Sequence, residues 1–352
     1  MVRKIKSVFD ESHEELLKIG KSVENQWESW TIAEEIVRDK GYTITTLKKS
    51  PITFQDLSKF NILIIGAPQT SFTKEEITSI VEFVKNGGCL LALNGYGGDI
   101  QNNTNLSEIT KYFGIKFNND MVHDKLHNIK GHSYGPIISD LEFISPITYN
   151  IREFNIVLGC SLSVTDEAQV VFRSSKDAYV KVLTPTNKWV EKEMPLMPIL
   201  AVYKNKSGEG RVVALGDSHI FSDDDVGMSL FNNRCLFSNI LEWLSDPSLD
   251  IDDRYSLLYA KLIKTADDLV LLKKKLGIIE TGSSIYERRT HLPDEIMARI
   301  DKLENILEEV EKTTGKEKIK YYKSRIRLEV WAVIISISSL LTVIILNLLI
   351  NP

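Results

Sequence analysis

The chain predicts an α/β fold built on a doubly wound, mostly parallel sheet, with a β-rich insertion, then helical segments and one transmembrane helix. Three observations carry this prediction. Strand-like and helix-like runs alternate from Ile5 to Asn94, the helical period is lost from about Gly114 to Tyr203, and the stretch Val330–Ile350 holds no charged residue. Strands alternating with helices are what parallel neighbours joined by helical crossovers look like in sequence.

The first strands are read at IKSVF (Ile5–Phe9), YTITTL (Tyr42–Leu47), NILIIG (Asn61–Gly66) and CLLAL (Cys89–Leu93). The last two are apolar throughout, as expected where helices cover both faces of a sheet. Between them, Thr31–Lys40 sets Ile32, Ile36 and Val37 on one face and stops at Gly41, a good C-cap residue. Thr73–Asn86 opens with TKEE, so Thr73 and Glu76 can form a capping box; Ile77, Ile80, Val81 and Val84 follow at helical spacing. Further on, QVVF (Gln169–Phe172), AYVKVL (Ala178–Leu183) and PILAVYK (Pro198–Lys204) read as short strands. NKSGEG (Asn205–Gly210) is a turn that folds ILAVY back on RVVAL. A helix from about Asn233 to Leu244 closes a first domain, placed at residues 1–250.

Residues 251–327 read as a helical spacer or short coiled coil. Ile296, Ile300, Leu303, Leu307 and Val310 form a heptad-like seam. Residues 254–313 are thus an expected oligomerisation or partner-binding surface, and a helical hairpin packed on itself fits as well. Residues 328–352 hold the expected tail anchor: as a helix, Val330–Ile350 crosses a hydrocarbon layer about 30 Å thick. Trp331 suits the headgroup layer, and the basic run KEKIKYYKSRIR before it marks the cytoplasmic side. A buried core helix of this length would carry a polar stripe. No apolar run near Met1 is long enough for a signal peptide. The expected arrangement is a single-pass protein with its N-terminal domain in the cytoplasm and membrane lipid as one partner.

A net charge of −5 over 352 residues gives no footprint for nucleic acid. Cys89, Cys160 and Cys235 are scattered without a CxxC pair, so neither a zinc knuckle nor a disulfide framework is indicated. No cofactor is expected.

Ligands of open parallel sheets sit outside the carboxyl ends of the strands. That rule selects Asp10 and His13 after the first strand, Asn94 and Gly95 in NGYGGD after the fourth, and Asp217, Ser218, His219 and Asp223 in VVALGDSHIFSDDDVG. The turn after the fourth strand holds Asn94, Gly95 and Tyr96 where a hydrolase would keep a nucleophile, Cys89 lies at the opposite end of that strand, and no Gly-x-Ser-x-Gly occurs. No catalytic residue is therefore assigned. A metal could be held by Asp217 and His219 with Asp223, or by Asp10 and His13, and His123, His127 and His132 lie close in sequence. An aspartate after a strand more often caps the next turn, so no metal is assigned either. SDDD (Ser222–Asp225) is read as a solvated helix start. NGYGG lacks the Gly-Lys-Ser/Thr of a phosphate loop.

FDESHEE, FTKEEITSIVEFVKNGGCLLALNGYGGD, FGIKFNND and PILAVYKNKSGEGRVVALGDSHIFSDD stand in the order in which similar segments occur in the GIFT domain. That domain is the N-terminal module of an intraflagellar-transport B-complex subunit and is related to a gliding-motility protein. The resemblance runs from about Lys4 to Asp246. It implies a flavodoxin- or class I glutamine amidotransferase-like fold without catalysis, used to bind proteins or sugars. It also adds Asn119 and Asp120 to Asn94, Gly95, Asp217, His219 and Asp223 as motif positions. The expected function is a non-catalytic, membrane-tethered binding or scaffold protein that recruits a protein partner or a small polar or sugar ligand to the cytosolic membrane face. The alternatives are a metal- or water-dependent hydrolase using Asp217 and His219, and a ligand-binding accessory subunit of a membrane transporter.

Overall fold

The computed structural model describes residues 5–19, 26–141, 145–184, 186, 188–206, 209–247 and 249. The helical spacer, the heptad-like seam and the apolar segment 330–350 lie outside the described residues. No helix among the described residues is long and apolar enough to cross a membrane.

The elements run β1 (Lys6–Asp10), α1 (Thr31–Asp39), β2 (Thr43–Leu47), α2 (Phe54–Leu57), β3 (Ile62–Gly66), α3 (Lys74–Lys85), β4 (Cys89–Leu93), α4 (Gly98–Gln101) and α5 (Ser107–Thr110). The insertion follows with β5 (Ile115–Phe117), β6 (Asp120–Asp124), β7 (Asn128–Ile129), β8 (His132–Ile138), β9 (Asp140–Leu141), β10 (Phe154–Asn155) and β11 (Leu162–Val164). The chain closes through β12 (Gln169–Arg173), β13 (Ala178–Leu183), β14 (Trp189–Lys192), β15 (Pro198–Lys204), β16 (Arg211–Leu215) and α6 (Asn233–Ser245).

One eight-stranded sheet has the order β2-β1-β3-β4-β16-β15-β12-β9. From β2 to β16 all neighbours are parallel, whereas β15, β12 and β9 extend the sheet antiparallel. The sheet is thus mostly parallel, as the sequence predicts, with an antiparallel extension at one end. The reason is local: the turn at 205–210 joins β15 directly to β16, and strands joined by a tight turn must run in opposite directions. The rest of the insertion forms three small sheets, β10-β8-β7, β14-β13-β6 and β11-β5.

Alternating side chains of the central strands face two helical layers. Val8, Leu63, Ile65, Leu90, Ala92, Val212 and Ala214 pack on one side with Ile80, Val81 and Val84 of α3. On the other side Phe9 meets Trp30 at 5.4 Å between ring centroids, and Trp30 meets Phe237 of α6 at 5.7 Å. The capping box at α3 forms as its sequence requires, with Thr73 accepting from the Glu76 N–H and Glu76 accepting from Thr73. Two buried apolar faces leave the ends of the strands as the places where polar chemistry can gather.

Candidate functional site

β1 carries Asp10 to the carboxyl edge of the sheet, fully buried. Ser12 turns back on it, donating its N–H and its hydroxyl to Asp10 Oδ1 at 2.9 and 2.7 Å. That leaves Asp10 Oδ2 facing His13 Nδ1 at 2.8 Å. The second ring nitrogen, Nε2, stands 3.3 Å from Glu76 Oε1, and the Phe72 ring stacks on the imidazole at 3.8 Å. Glu76 is shared: Oε2 completes the cap of α3 with Thr73, while Oε1 accepts the Ile52 N–H at 2.9 Å and the Ser50 hydroxyl at 3.0 Å. Glu15 Oε2 accepts the His13 N–H at 3.2 Å, and Glu15 Oε1 is buried with no hydrogen-bond donor among the described residues. None of the four side chains belongs to a residue more than 3% exposed, so bulk water does not screen them.

Burial works against charge on every member, and the neighbours decide which way each one shifts. For His13 the two carboxylates, Asp10 and Glu76, outweigh burial and raise it. For Asp10 the hydrogen bonds from His13, Glu15 and Ser12 outweigh burial and hold it low. Glu76 is likewise held low against burial by the N–H groups of Thr73 and Ile52 and the Thr73 hydroxyl. For Glu15 burial, the Asp10 charge and the hydrogen bond to Asp10 outweigh the N–H groups of Glu15 and His13 and push it up to about 10. The neighbours in this cluster thus favour the charged forms of His13, Asp10 and Glu76 and the neutral form of Glu15. Sequence reading found Asp10 and His13 but not Glu15, whose signal was the spacing Asp10-x-x-His13-x-Glu15 on the turn after a strand. Glu76 was visible only as a cap.

At the end of β4, Asn94 is fully buried and fully engaged. Its Nδ2 donates to Asp99 Oδ1 at 2.7 Å, and its Oδ1 accepts from the Gly95 N–H at 3.0 Å and from Asn102 Nδ2 at 2.9 Å. Asp99 Oδ2 in turn accepts the Ser107 N–H at 2.9 Å. The turn needs glycine at Gly98, where φ is +62° and a Cβ would stand 2.3 Å from the Asn118 carbonyl oxygen. Asn119 Oδ1 accepts the Ile100 N–H at 3.2 Å. Asp120 accepts both the N–H and the hydroxyl of Ser161, at 2.7 and 2.5 Å, and so pins β6 to the strand entering β11. Burial raises its carboxyl despite these bonds.

After β16 the chain passes hard against Cys160. The Cys160 N–H donates to the Gly216 carbonyl at 2.8 Å, and a Cβ on Gly216 would stand 1.9 Å from the Cys160 carbonyl oxygen. Asp217, fully buried, accepts the Val157 N–H at 2.7 Å and the His219 N–H at 2.9 Å. His219 Nδ1 lies 3.6 Å from Asp217, and the ring meets Trp27 edge-on at 4.9 Å. Ser218 Oγ is buried without a hydrogen-bond partner among the described residues, facing Gly95. Cys160, missed in sequence as a resident of this edge, is itself wholly buried. Burial and the carboxylates of Asp120, Asp99 and Asp217 push its thiol well above the ordinary range, which is the reverse of an activated nucleophile.

Asp223 is committed to the start of α1, and SDDD is not a helix start. Its carboxylate accepts the Thr31 N–H at 2.8 Å, the Ile32 N–H at 3.0 Å and the Ser29 hydroxyl at 2.5 Å. It caps α1 from 192 residues away, where Trp30 in the cap position offers no side-chain bond. Asp224 is buried against Ser222 rather than solvated. Asp223→Ala is expected to destabilise the domain by about 1–2 kcal/mol, the range of a lost N-cap, with Asp223→Asn milder; chemical denaturation of both variants measures it.

Backbone bonds lace the other strand ends together: Gln69 N–H to the His13 carbonyl, Ala67 N–H to that of Leu93, and Asn94 N–H to that of Leu215. Asp10, His13, Asn94, Gly95, Asp217, Ser218 and His219 thus share one edge, with Asn119 and Asp120 tying the insertion to it. Among the described residues, Asp10, His13 and Glu15 form a group whose ligand atoms lie within 4.8 Å of one another, while Asp217, His219 and Asp223 form none. The three other histidines do not converge either. His123 is buried, lowered to about 4 by burial and the Lys181 charge, and bonded to Ser133; His127 sits beside Asp124; His132 stacks on Tyr134.

Residues 8–140 match the family model of the IFT52 GIFT domain. Over that stretch the chain resembles the GIFT domain family. It is similar to an intraflagellar transport protein 52 homolog of Mus musculus, at 25% identity over 224 residues, covering 58% of this chain and 49% of that one. The Homo sapiens homolog gives 23% over 223 residues, covering 58% and 47%. The chain thus spans about half the length of these curated relatives. Among solved structures, the mmIFT52 N-terminal domain matches with a TM-score of 0.56 at 23% identity, covering 68% of this chain and 97% of that one, which shows a shared fold. The match to the GIFT family includes the Asp10–His13–Glu15 turn, Glu76, Asn94 and Asp120, while Asp217 and the α1 cap from Asp223 lie beyond the matched residues.

Proposed function

We propose that the GIFT-like domain is a non-catalytic binding and scaffold module that recruits a protein partner, held at the cytosolic face of a membrane by the apolar segment 330–350. The observation that carries this reading is the state of the strand-end side chains. Asn94, Asp120 and Asp217 are each buried and spend at least two hydrogen bonds on their own chain. Groups committed in this way hold loops in place and are not themselves free to act as a base on a substrate. The hydrolase alternative loses its main support here, because Asp217 orients backbone rather than an attacking water. The mouse and human relatives are named for intraflagellar transport, which supports membership of a comparable multiprotein assembly for this chain.

The test uses the full-length chain. Native protein exposed to fluorophosphonate and iodoacetamide probes is expected to show no adduct at Ser218 or Cys160 by peptide mass mapping, with Cys160 reacting only after denaturation. Saturable native labelling at either residue, with turnover lost on its mutation, overturns the non-catalytic reading. In isolated membranes the chain is expected to resist alkaline carbonate extraction and to be released when residues 328–352 are deleted. Release of the intact chain overturns the tether.

A further inference from the structure

The turn after β1 has the construction of a metal site. Three side chains there each offer one ligand atom: a carboxylate oxygen of Asp10, a ring nitrogen of His13 and a carboxylate oxygen of Glu15, all within 4.8 Å of one another. Each is held from behind. Asp10 Oδ1 is fixed by the Ser12 N–H and hydroxyl, which leaves Oδ2 turned to His13 Nδ1. Glu15 Oε2 is fixed by the His13 N–H, which leaves Oε1, buried and without a donor. His13 sets its far nitrogen, Nε2, 3.3 Å from Glu76 Oε1. An imidazole that coordinates through one nitrogen and is oriented by a carboxylate at the other is the usual outer arrangement of a bound transition metal.

We propose that Asp10, His13 and Glu15 form a structural site for one divalent cation of the zinc class, with Glu76 orienting the histidine. The donor set decides the class. One nitrogen and two carboxylate oxygens suit Zn2+, whereas Mg2+ and Ca2+ take shells of six or more oxygens. Tetrahedral bonds of about 2.0–2.1 Å put neighbouring donors about 3.3 Å apart, so Asp10 Oδ2 and His13 Nδ1, now 2.8 Å apart, need to open by only about half an ångström. A water completes four-coordination. Asp10, Glu15 and Glu76 are buried around a single imidazole, and a dication compensates their charge once Glu15 gives up its proton to bind. Because the ligands are closed off from solvent, the ion's role is to fasten β1 to α3 through His13 and Glu76, not to bind substrate. This goes beyond the scaffold reading and stands or falls independently of it.

The test takes the full-length chain in detergent, stripped with a chelator and then titrated with Zn2+ against a chromophoric competitor. One tightly held equivalent per chain is expected, surviving gel filtration, with a rise in melting temperature. Glu15→Gln keeps the shape and removes one anionic ligand; it is expected to weaken Zn2+ at least tenfold while the metal-free protein keeps its circular dichroism. Glu76→Gln is expected to cost about tenfold through the histidine's orientation. Loading with Co2+ is expected to give d–d absorption without thiolate charge transfer. Absence of a stoichiometric ion overturns the site, as does Zn2+ binding that Glu15→Gln leaves unchanged or a Co2+ spectrum with thiolate bands.

Discussion

His13→Ala is expected to destabilise the metal-free domain by about 3–5 kcal/mol, the range for removing one member of a buried ion pair. The imidazole is the shared partner of Asp10, at 2.8 Å, and Glu76, at 3.3 Å, and without it two buried carboxylates are left with no cation between them. Its loss also removes the ring that stacks on Phe72. The pH profile separates this account from simple loss of packing. His13 is raised in the folded domain, so its contribution is complete below the unfolded value of about 6.5 and fades as pH rises through the folded one. Asp10 and Glu76 are lowered, so their contribution is complete above about 4.5 and fades as acid protonates them. Glu15 is raised and favours the acid side, adding to the fall at high pH. Denaturant unfolding in chelator at about pH 6 and about pH 9 should show wild type losing stability between the two and His13→Ala losing less. An equal loss in both proteins would show that the imidazole carries no charge in this site.

Asp217→Ala is expected to cost about 2–4 kcal/mol, whereas His219→Ala, its neighbour in the same motif, changes stability by about 1 kcal/mol or less. Asp217 is the acceptor for two backbone N–H groups, those of Val157 and His219, and is fully buried; each buried donor left unsatisfied costs about 1–3 kcal/mol. The His219 side chain is 15% exposed and offers only the edge contact with Trp27 and a 3.6 Å approach to Asp217. Asp217→Asn keeps an acceptor and should fall between the two. Thermal and denaturant unfolding of the three variants decides the ranking, and a His219→Ala variant as damaged as Asp217→Ala would show that the imidazole, not the backbone, is what Asp217 serves.

Much of the frame was legible because it rests on local pattern. The fully apolar runs of β3 and β4, the amphipathic face of α3 and the Thr73–Glu76 cap are short-range features that propensity and burial fix together. The turn at 205–210 was legible too, and the folding back of ILAVY on RVVAL read from it is the antiparallel pairing of β15 with β16. The site was less legible wherever partners are distant in sequence. Nothing near Asp223 announces that it serves Thr31 and Ile32, and nothing near Cys160 announces Gly216. Glu76 carried a correct local assignment that hid its second oxygen, which reaches Ser50, Ile52 and His13. A carboxylate has two acceptors, and a sequence motif accounts for only one of them.

The position of β16 has a consequence for how the chain is made. It lies between β4 and β15 in the middle of the large sheet, yet among the described residues it is the last strand to leave the ribosome. Until it emerges, β4 presents a bare hydrophobic border, and Asp223, which finishes the first helix, is still later in translation. The amino-terminal half therefore has to wait, half-assembled and in need of protection, for a segment made more than a hundred residues afterwards. A protein cut short before that segment keeps most of its strands and loses the seam that joins them.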